Sequence, residues 1–408
     1  MEHSDKQDNK KLVLAFSGGL DTSFCVKYLS EQGYDVHAVL VNTGGFSDEE
    51  LIEIERRAHY LEVAHYEVLD ETHTFYRQCV RYLLFGNILR NNTYPLSVSA
   101  ERVFQALAII RYAQQVGAGH IAHGSTGAGN DQVRFDLIFT TLAPHINVIT
   151  PIRDLTLSRQ EEVEYLQKQG IDMSWEKARY SINQGLWGTS VGGQETLTSD
   201  QTLPEEAYPS QLTEQEPRTV TLHFQQGELV GLDEQSFDDR VAAVRQLQEW
   251  GSAYAIGRDV HVGDTIIGIK GRVGFEAPAP LMMIKAHHLL EKHVLVKWQQ
   301  YWKEQLANWY GMMLHEGQYL DPVMRNIETF LEDTQRNVTG KVTVKLHPYR
   351  FELVGITSDH DLMSSSFGQY GEMNRAWTGD DVKGFTKMLA NQHKIWYNVN
   401  EGGEGMKD

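Results

Sequence analysis

Five short apolar runs alternate with helix-forming patterns over the first 150 or so residues, and this rhythm restricts the fold more than any other feature of the chain. The runs are Lys11–Phe16, Val36–Val41, Ala64–Val68, His120–His123 and Asn147–Thr150, the last stopped by Pro151. Helix signals follow Ser17-Gly18-Gly19 up to Gly33, with Leu20, Phe24, Tyr28 and Leu29 near one face. Ser47 with Glu50 forms a capping-box pattern opening a helix to about Leu61. Further helices are predicted around Thr74–Leu84 and over Ala100–Gln115, the latter with Val103, Leu107, Ile110 and Tyr112 apolar. Such alternation predicts an α/β domain: a parallel sheet with helices on both faces. Ligands of these sheets bind in the crevice beyond the carboxyl ends of the strands.

The pattern then changes. Ser158 with Glu161 is a second capping box, for a helix ending near Gly170. Residues 183–217 carry four glycines and three prolines among polar residues and read as a long, functional loop. Strands at Thr219–Phe224, Thr265–Ile269, Lys341–Leu346 and Phe351–Thr357 mix with helices near 237–250 and 280–316, which predicts an α+β domain. Asp380–Tyr397 reads as an amphipathic helix with Val382, Phe385, Met388 and Leu389, suited to docking on a neighbouring subunit or on its own chain. The expected domains are 1–172, 173–379 and 380–408.

Composition removes several classes. The chain has 408 residues, 37 Lys plus Arg against 55 Asp plus Glu, and a formal charge of −18. Nucleic-acid affinity comes from cations placed near phosphates, so an acidic field argues against a nucleic-acid partner. No run of about 18 apolar residues exists, so no membrane span is expected. Met1–Lys10 is polar, without the apolar stretch of a secretory signal, and reads as a short disordered lead-in. Cys25 and Cys79 sit in helix-like apolar patterns and are expected to be buried free thiols in a reducing cytoplasm. There is no CxxC and no HExxH among the 17 histidines, and no protein ligand to a metal is assigned. His287, His288 and His293 read as structural or surface residues.

Two glycine-rich strings carry chemistry. Ser17-Gly18-Gly19-Leu20-Asp21-Thr22-Ser23 follows a strand and opens a helix. Its glycines permit a tight turn and close approach by a ligand. Amides from Gly18 to Thr22 at a helix N-terminus, with the hydroxyls of Ser17, Thr22 and Ser23, make an anion site. Without a Gly-Lys-Ser/Thr it is not a Walker A loop. The second string, His123-Gly124-Ser125-Thr126-Gly127-Ala128-Gly129-Asn130-Asp131-Gln132-Val133-Arg134-Phe135, also follows a strand. Here Asp131 suits an ammonium and Arg134 a carboxylate, or the two form an internal pair. His123 is placed either to approach phosphate or to pack at the strand end.

The first string is similar to the pyrophosphate loop of N-type ATP pyrophosphatases. Together the two strings resemble the signatures of the argininosuccinate synthase family. So do Tyr180-Ser181-Ile182-Asn183, Leu186-Trp187-Gly188-Thr189-Ser190 and Glu205-Glu206 with Tyr208. The resemblance runs along nearly the whole chain. It implies an adenine nucleotide alpha hydrolase-like ATP domain, a synthetase domain and a C-terminal helix. It implies a carbon–nitrogen ligase of arginine biosynthesis, cytoplasmic and homotetrameric, joining citrulline to aspartate with ATP and Mg²⁺. By that pattern Ala15, Phe16, Ser17, Gly18, Gly19, Leu20, Asp21, Thr22, Ser23, Val41 and Gly124 line the ATP site. Tyr94, Ser99, Asn130, Arg134, Ser181 and Ser190 fall at citrulline positions, and Thr126, Asn130 and Asp131 at aspartate positions. No covalent nucleophile is implied, and no general base is assigned.

Four residues depart from the family pattern. Phe16 stands where Tyr is usual, Ala128 where Lys is usual, and Gly263 and Phe275 where a Glu and a Tyr contact citrulline. Either Asp264 or Asp259 supplies the missing charge, or the substrate lacks a free α-ammonium, as an N-acylated citrulline does. A tRNA-modifying adenylating enzyme is the alternative within the superfamily, and would use a catalytic cysteine pair.

Overall fold

The computed structural model describes residues 9–127, 129–173, 180–364, 370–371 and 376–401. The chain forms two compact units, one through His360 and one over Asp361–Asp408.

The first unit begins with the expected parallel sheet. Its strands are β1 (Lys11–Ala15), β2 (Asp35–Asn42), β3 (His65–Asp70), β4 (His120–His123) and β5 (Asn147–Ile149), in the order β3-β2-β1-β4-β5. All four pairings are parallel. Successive side chains alternate between the faces. Leu12 and Leu14 pack with Phe24, Val26 and Leu29 of the helix Leu20–Glu31 on one side. Val13 and Val39 pack with Val103, Ala106 and Ile110 of the helix Glu101–Val116 on the other. Burial on both faces explains why these strands read as continuous apolar runs. The chain leaves β1 toward β2 on one side and reaches β4 on the other, so the crevice above the β1–β4 boundary is the switch point of the sheet.

Two antiparallel sheets complete this unit. One contains β6 (Ser181–Gly185), β7 (Gly188–Gly192), β11 (Arg258–Asp264) and β12 (Lys270–Glu276), ordered β11-β12-β7-β6. The other contains β8 (Arg218–Gln225), β9 (Glu228–Leu232), β10 (Gln235–Ser236), β13 (Gly340–His347) and β14 (Arg350–Thr357), ordered β10-β9-β8-β13-β14. Val220, Leu222, Val342 and Val344 of this second sheet belong to the same apolar cluster as Val13 and Val39, so the core is continuous from the parallel sheet into it.

Several expectations need correction. Residues 183–217 are not one loop: the hairpin β6–β7 occupies its start, because Gly188, at φ +107°, turns the chain back on itself. Thr265–Ile269 is a turn and not a strand: Thr265 N–H donates to the Ile269 carbonyl, and the strands flank it as β11 and β12. The predicted helix 280–316 is two helices, Pro278–Val294 and Lys297–His315, broken where Leu295 turns extended. A further helix, Pro322–Thr334, is capped by Asp321. Both capping boxes are present, at Ser47/Glu50 and Ser158/Glu161.

In the second unit the predicted tail helix is two, Gly379–Leu389 and Asn391–Asn400. Phe385, Met388, Leu389, Ile395 and Val399 are all exposed there. Among the described residues no helix is long and apolar enough to cross a membrane.

The burial pattern makes a direct prediction. Leu14 is fully buried between two strands, so Leu14→Ala should cost about 2–5 kcal/mol in urea unfolding. Leu142→Ala, at a 41% exposed position, should change stability by less than about 0.5 kcal/mol.

Candidate active site

At the carboxyl end of β1 the chain must turn at once into the helix Leu20–Glu31. Gly18 makes the turn at φ +73°, where a Cβ would also sit 3.1 Å from Ile54. Arg57 Nη1 donates to the Gly18 carbonyl (2.5 Å) and holds the turn from behind. The helices beginning after Ser47 and Ser158 have side-chain caps; this one starts from Gly19 with none. Its first-turn amides therefore lack an intrahelical or capping partner and face the crevice, the arrangement that attracts an anion. Thr22 Oγ1 and Ser17 Oγ lie 3.4 Å apart beside them. Ser23 is turned away: its hydroxyl donates to the Gly19 carbonyl (2.8 Å) and it is fully buried.

The loop after β4 packs directly onto this turn. Gly124 lies against it, since a Cβ there would be 3.4 Å from both Asp21 and Thr22, in van der Waals contact. His123 does not point at the anion site. Its Nδ1 accepts from the Ser125 amide (3.3 Å), its Nε2 donates to Asp136 (3.0 Å), and its ring stacks on Phe135. Asp136 also takes Arg153 (2.6 Å). Burial opposes ionisation of Asp136, but His123 and Arg153 hold it below the usual carboxylate range.

Asp131 and Arg134 form the internal pair (2.8 Å), and a third residue joins them. Arg102 Nε donates to the other Asp131 oxygen (2.9 Å). Burial opposes ionisation of Asp131, yet the two guanidiniums prevail and hold it at about 2. Both Asp131 oxygens are thus engaged by arginines, while the side chain still lines the cleft. Arg134 is buried and also donates Nε to the His315 carbonyl (2.9 Å), so part of its fork is committed. Arg102 lies outside both glycine-rich strings, and the sequence motifs do not single it out. Its one local signal is an arginine in the first turn of a helix that follows a Ser-rich loop.

The four-stranded sheet closes over these loops. Asn130 Oδ1 accepts from the Ile266 amide in the β11–β12 turn (2.9 Å), and Arg102 Nη2 donates to Asn183 of β6 (3.4 Å). Arg258 stacks on Tyr208 and binds Glu205 (2.6 Å) and Glu276 (2.9 Å), which fastens the 205–210 segment to β11 and β12. Between the sheet and the loops lies a cleft of about 1180 Å³. It is lined by Ala15, Phe16, Ser17, Gly19, Leu20, Asp21, Thr22, Val41, Gly124, Tyr94, Ser99, Thr126, Asn130, Asp131, Arg134, Ser181 and Ser190. Of the expected site residues only Gly18 and Ser23 are not on its wall.

Of the departures from the family pattern, Phe16 and Gly263 line the cleft, Phe275 lies behind its wall, and Ala128 is outside the described residues. Phe16 is buried edge-on to Tyr66. At Gly263 a Cβ would stand 2.7 Å from His261 Nε2, so the histidine ring occupies that space. His261 stacks on Tyr94, which also contacts the fully buried Phe275. Burial and Arg90 lower the His261 pKa and keep it neutral. Asp264 lines the cleft but pairs with Lys270 (2.6 Å), while Asp259 is exposed and off the wall.

Two further carboxyls matter. Glu101 lines the cleft, 2% exposed, and is raised to about 8, first by burial against the opposing pull of Arg102 and Thr43. Glu162, buried beside Asp21, is also raised to about 8, by burial and then by Asp21. One Glu162 oxygen is buried without a hydrogen-bond partner. Asp21, on the cleft wall, is a hard oxygen donor of the kind Mg²⁺ takes. Cys25 and Cys79 are fully buried in separate clusters, where burial pushes both thiols up.

A switch-point crevice that joins a bare helix N-terminus to a glycine-rich loop defines a nucleotide-binding α/β protein, here of the HUP type. Residues 11–172 match the model of the arginosuccinate synthase N-terminal HUP domain, and residues 180–396 that of the arginosuccinate synthase C-terminal domain. The argininosuccinate synthase of Xanthomonas axonopodis pv. citri is 36% identical over 403 residues, 96% of this chain and 95% of the relative. That of Xylella fastidiosa is 34% identical over 404 residues, 96% of this chain and 98% of the relative. That of Methanocaldococcus jannaschii is 35% identical over 364 residues, 88% and 91% respectively. The chain belongs to the argininosuccinate synthase family, whose members are carbon–nitrogen ligases with ATP as a substrate.

The raised Glu101 generates a pH prediction. Its folded pKa of about 8 lies above the ordinary 4.5, so the folded state binds a proton that the unfolded state has lost. The group's contribution is complete below about pH 4.5 and disappears as pH rises through 8. Glu101→Gln should therefore melt close to wild type at pH 5 and several degrees above it at pH 9. Parallel melting curves at both pH values would contradict the assignment.

Proposed function

We propose that this chain is a citrulline–aspartate ligase working through a citrullyl-adenylate. The observation that carries the reading is the uncapped first turn at Gly19–Thr22, packed against the Gly124 loop in one cleft. ATP lies with its β- and γ-phosphates on the amides of the 17–22 turn. Its base lies toward Val41 and Phe46, which line the same cleft. The ureido oxygen of citrulline attacks the α-phosphorus, and pyrophosphate leaves. The aspartate amine then attacks the activated ureido carbon, and AMP leaves, giving argininosuccinate for arginine biosynthesis. Positioning and charge stabilisation supply the catalysis, with no covalent enzyme intermediate. Asp21 would hold the Mg²⁺ that accompanies ATP, and the ion would supply positive charge to offset that of the phosphates.

In this reading Tyr94, Ser99, Ser181 and Ser190 surround citrulline beneath the β6–β7–β12 sheet, and Thr126 and Asn130 face aspartate. Arg134 turns an Nη–H not engaged by Asp131 or His315 to a substrate carboxylate, and Asp131 acts by holding Arg102 and Arg134 in place. The 11–172 portion binds nucleotide, and 173–379 supplies the substrate wall. The enzyme is cytoplasmic and homotetrameric, with the apolar faces of residues 379–400 in subunit contacts. A thiol-transferring activity on tRNA fits poorly, since Cys25 and Cys79 lie buried in different cores.

One observation favours a second reading, in which the substrate is an N-acylated citrulline. Gly263 brings no side chain, its neighbour His261 is neutral, and Asp264 is already paired with Lys270.

Pyrophosphate release from ATP tests the reading. Sustained release should require citrulline and aspartate together. Gly18→Val, which forces a branched residue to φ +73° against Ile54, should reduce kcat/KM by at least a hundredfold. Sustained release without aspartate, beyond one equivalent per site, or a preference for N-acetylcitrulline over citrulline, would overturn it, the latter in favour of the second reading. Sizing of a chain ending at Thr378 should give a smaller assembly than the full chain; an unchanged tetramer would refute the role given to the tail helices.

A further inference from the structure

A second cluster of chemically capable side chains sits at the opposite end of the parallel sheet. Asp35 is the first residue of β2 and His65 the first residue of β3. In the parallel register His37 pairs with His65, so both rings project from the same face, and Asp35, two residues before His37, shares it. One ligand atom from each of Asp35, His37 and His65 lies within 4.8 Å of the others. The two imidazole centroids are 4.2 Å apart.

His37 makes this more than a chance meeting of polar groups. It is 4% exposed, and its Nε2 is buried without a hydrogen-bond partner. Asp35 Oδ2 is 3.9 Å away, too far for a hydrogen bond. The other ring nitrogen, Nδ1, is 3.1 Å from the Tyr112 hydroxyl. When Nδ1–H donates to Tyr112, the Nε2 lone pair is left facing Asp35 and His65. A metal-binding histidine is oriented in this way, with its second nitrogen donating to a fixed oxygen. Burial, and then His65, keep His37 below the usual histidine pKa, so the neutral, ligating form prevails.

We propose that Asp35, His37 and His65 form a binding site for a divalent transition-metal ion of the Zn²⁺ class. Two imidazoles and one carboxylate are a nitrogen–oxygen set that suits such ions better than Mg²⁺. Four-coordinate geometry at about 2.0–2.2 Å places ligand atoms roughly 3.4 Å apart, so the three groups close in by up to about 1.4 Å. The two that must move, Asp35 and His65, are the more exposed ones, with His37 as the fixed anchor. Solvent fills the remaining coordination position. The ion would tie the edge strand β3 to β2 at their amino ends, remote from the nucleotide crevice at the carboxyl ends. The site is therefore separate from the Mg²⁺ that accompanies ATP.

Tag-free, chelator-treated full-length protein titrated with Co²⁺ in the absence of nucleotide tests this. Wild type should bind one equivalent per chain, with the visible absorption of low-coordinate cobalt, and Zn²⁺ should displace it and raise Tm. His65→Ala, at an exposed position, should fold normally yet weaken Co²⁺ binding at least tenfold and abolish the Zn²⁺ shift in Tm. Asp35→Asn should do the same to a smaller degree. ATP-dependent pyrophosphate release by His65→Ala should match wild type, which separates this site from the ligase reading. Absence of stoichiometric Co²⁺ binding by wild type, or equal binding by His65→Ala, would overturn the proposal.

Discussion

Everything around the cleft depends on a helix that begins without a cap. The helix Leu20–Glu31 starts from Gly19, and its first amides find no side chain to receive them. Left in a buried position these donors would be costly; at the mouth of a crevice they become the part of the protein that binds an anion. The surrounding structure keeps that end open. Arg57 secures the Gly18 carbonyl from behind, and Gly124 of the neighbouring loop rests against Asp21 and Thr22.

The second constraint is the arginine–aspartate–arginine clamp. Arg102 comes from the helix after the 95–99 segment, Asp131 and Arg134 from the helix after β4. One ionised carboxylate reconciles two guanidiniums that would otherwise repel, and its low pKa measures how strongly it is held. From the clamp, Arg102 reaches Asn183 of β6, while Asn130 beside it takes the Ile266 amide of the β11–β12 turn. The roof of the cleft is thus tied to its floor by hydrogen bonds from the residues that line it.

Much of this arrangement is legible in the amino-acid order. The five strands and both capping boxes follow from local pattern, since period and cap chemistry act over a few residues. The elements that local pattern misses have a common cause. Thr265–Ile269 is β-branched and apolar, yet it is a turn, because strand pairing on either side brings Thr265 and Ile269 together. The β6–β7 hairpin hides in a glycine-rich stretch because its turn residue and its strand residues look alike in composition. The clamp of Asp131 and Arg134 is incomplete in the local pattern because its third member, Arg102, lies about thirty residues upstream.

The order of residues alone determined the five strands and the turn after β1, because these depend on interactions within a turn or two of chain; most cleft-lining groups were legible only through the family resemblance. Tertiary structure decided what each charged group faces. It set the engaged state of Asp131, the protonation of Glu101, the ring of His261 in the space beside Gly263, and the meeting of His37 with His65 across two strands. Those outcomes depend on burial and on partners distant in sequence, and neither is encoded in a local window.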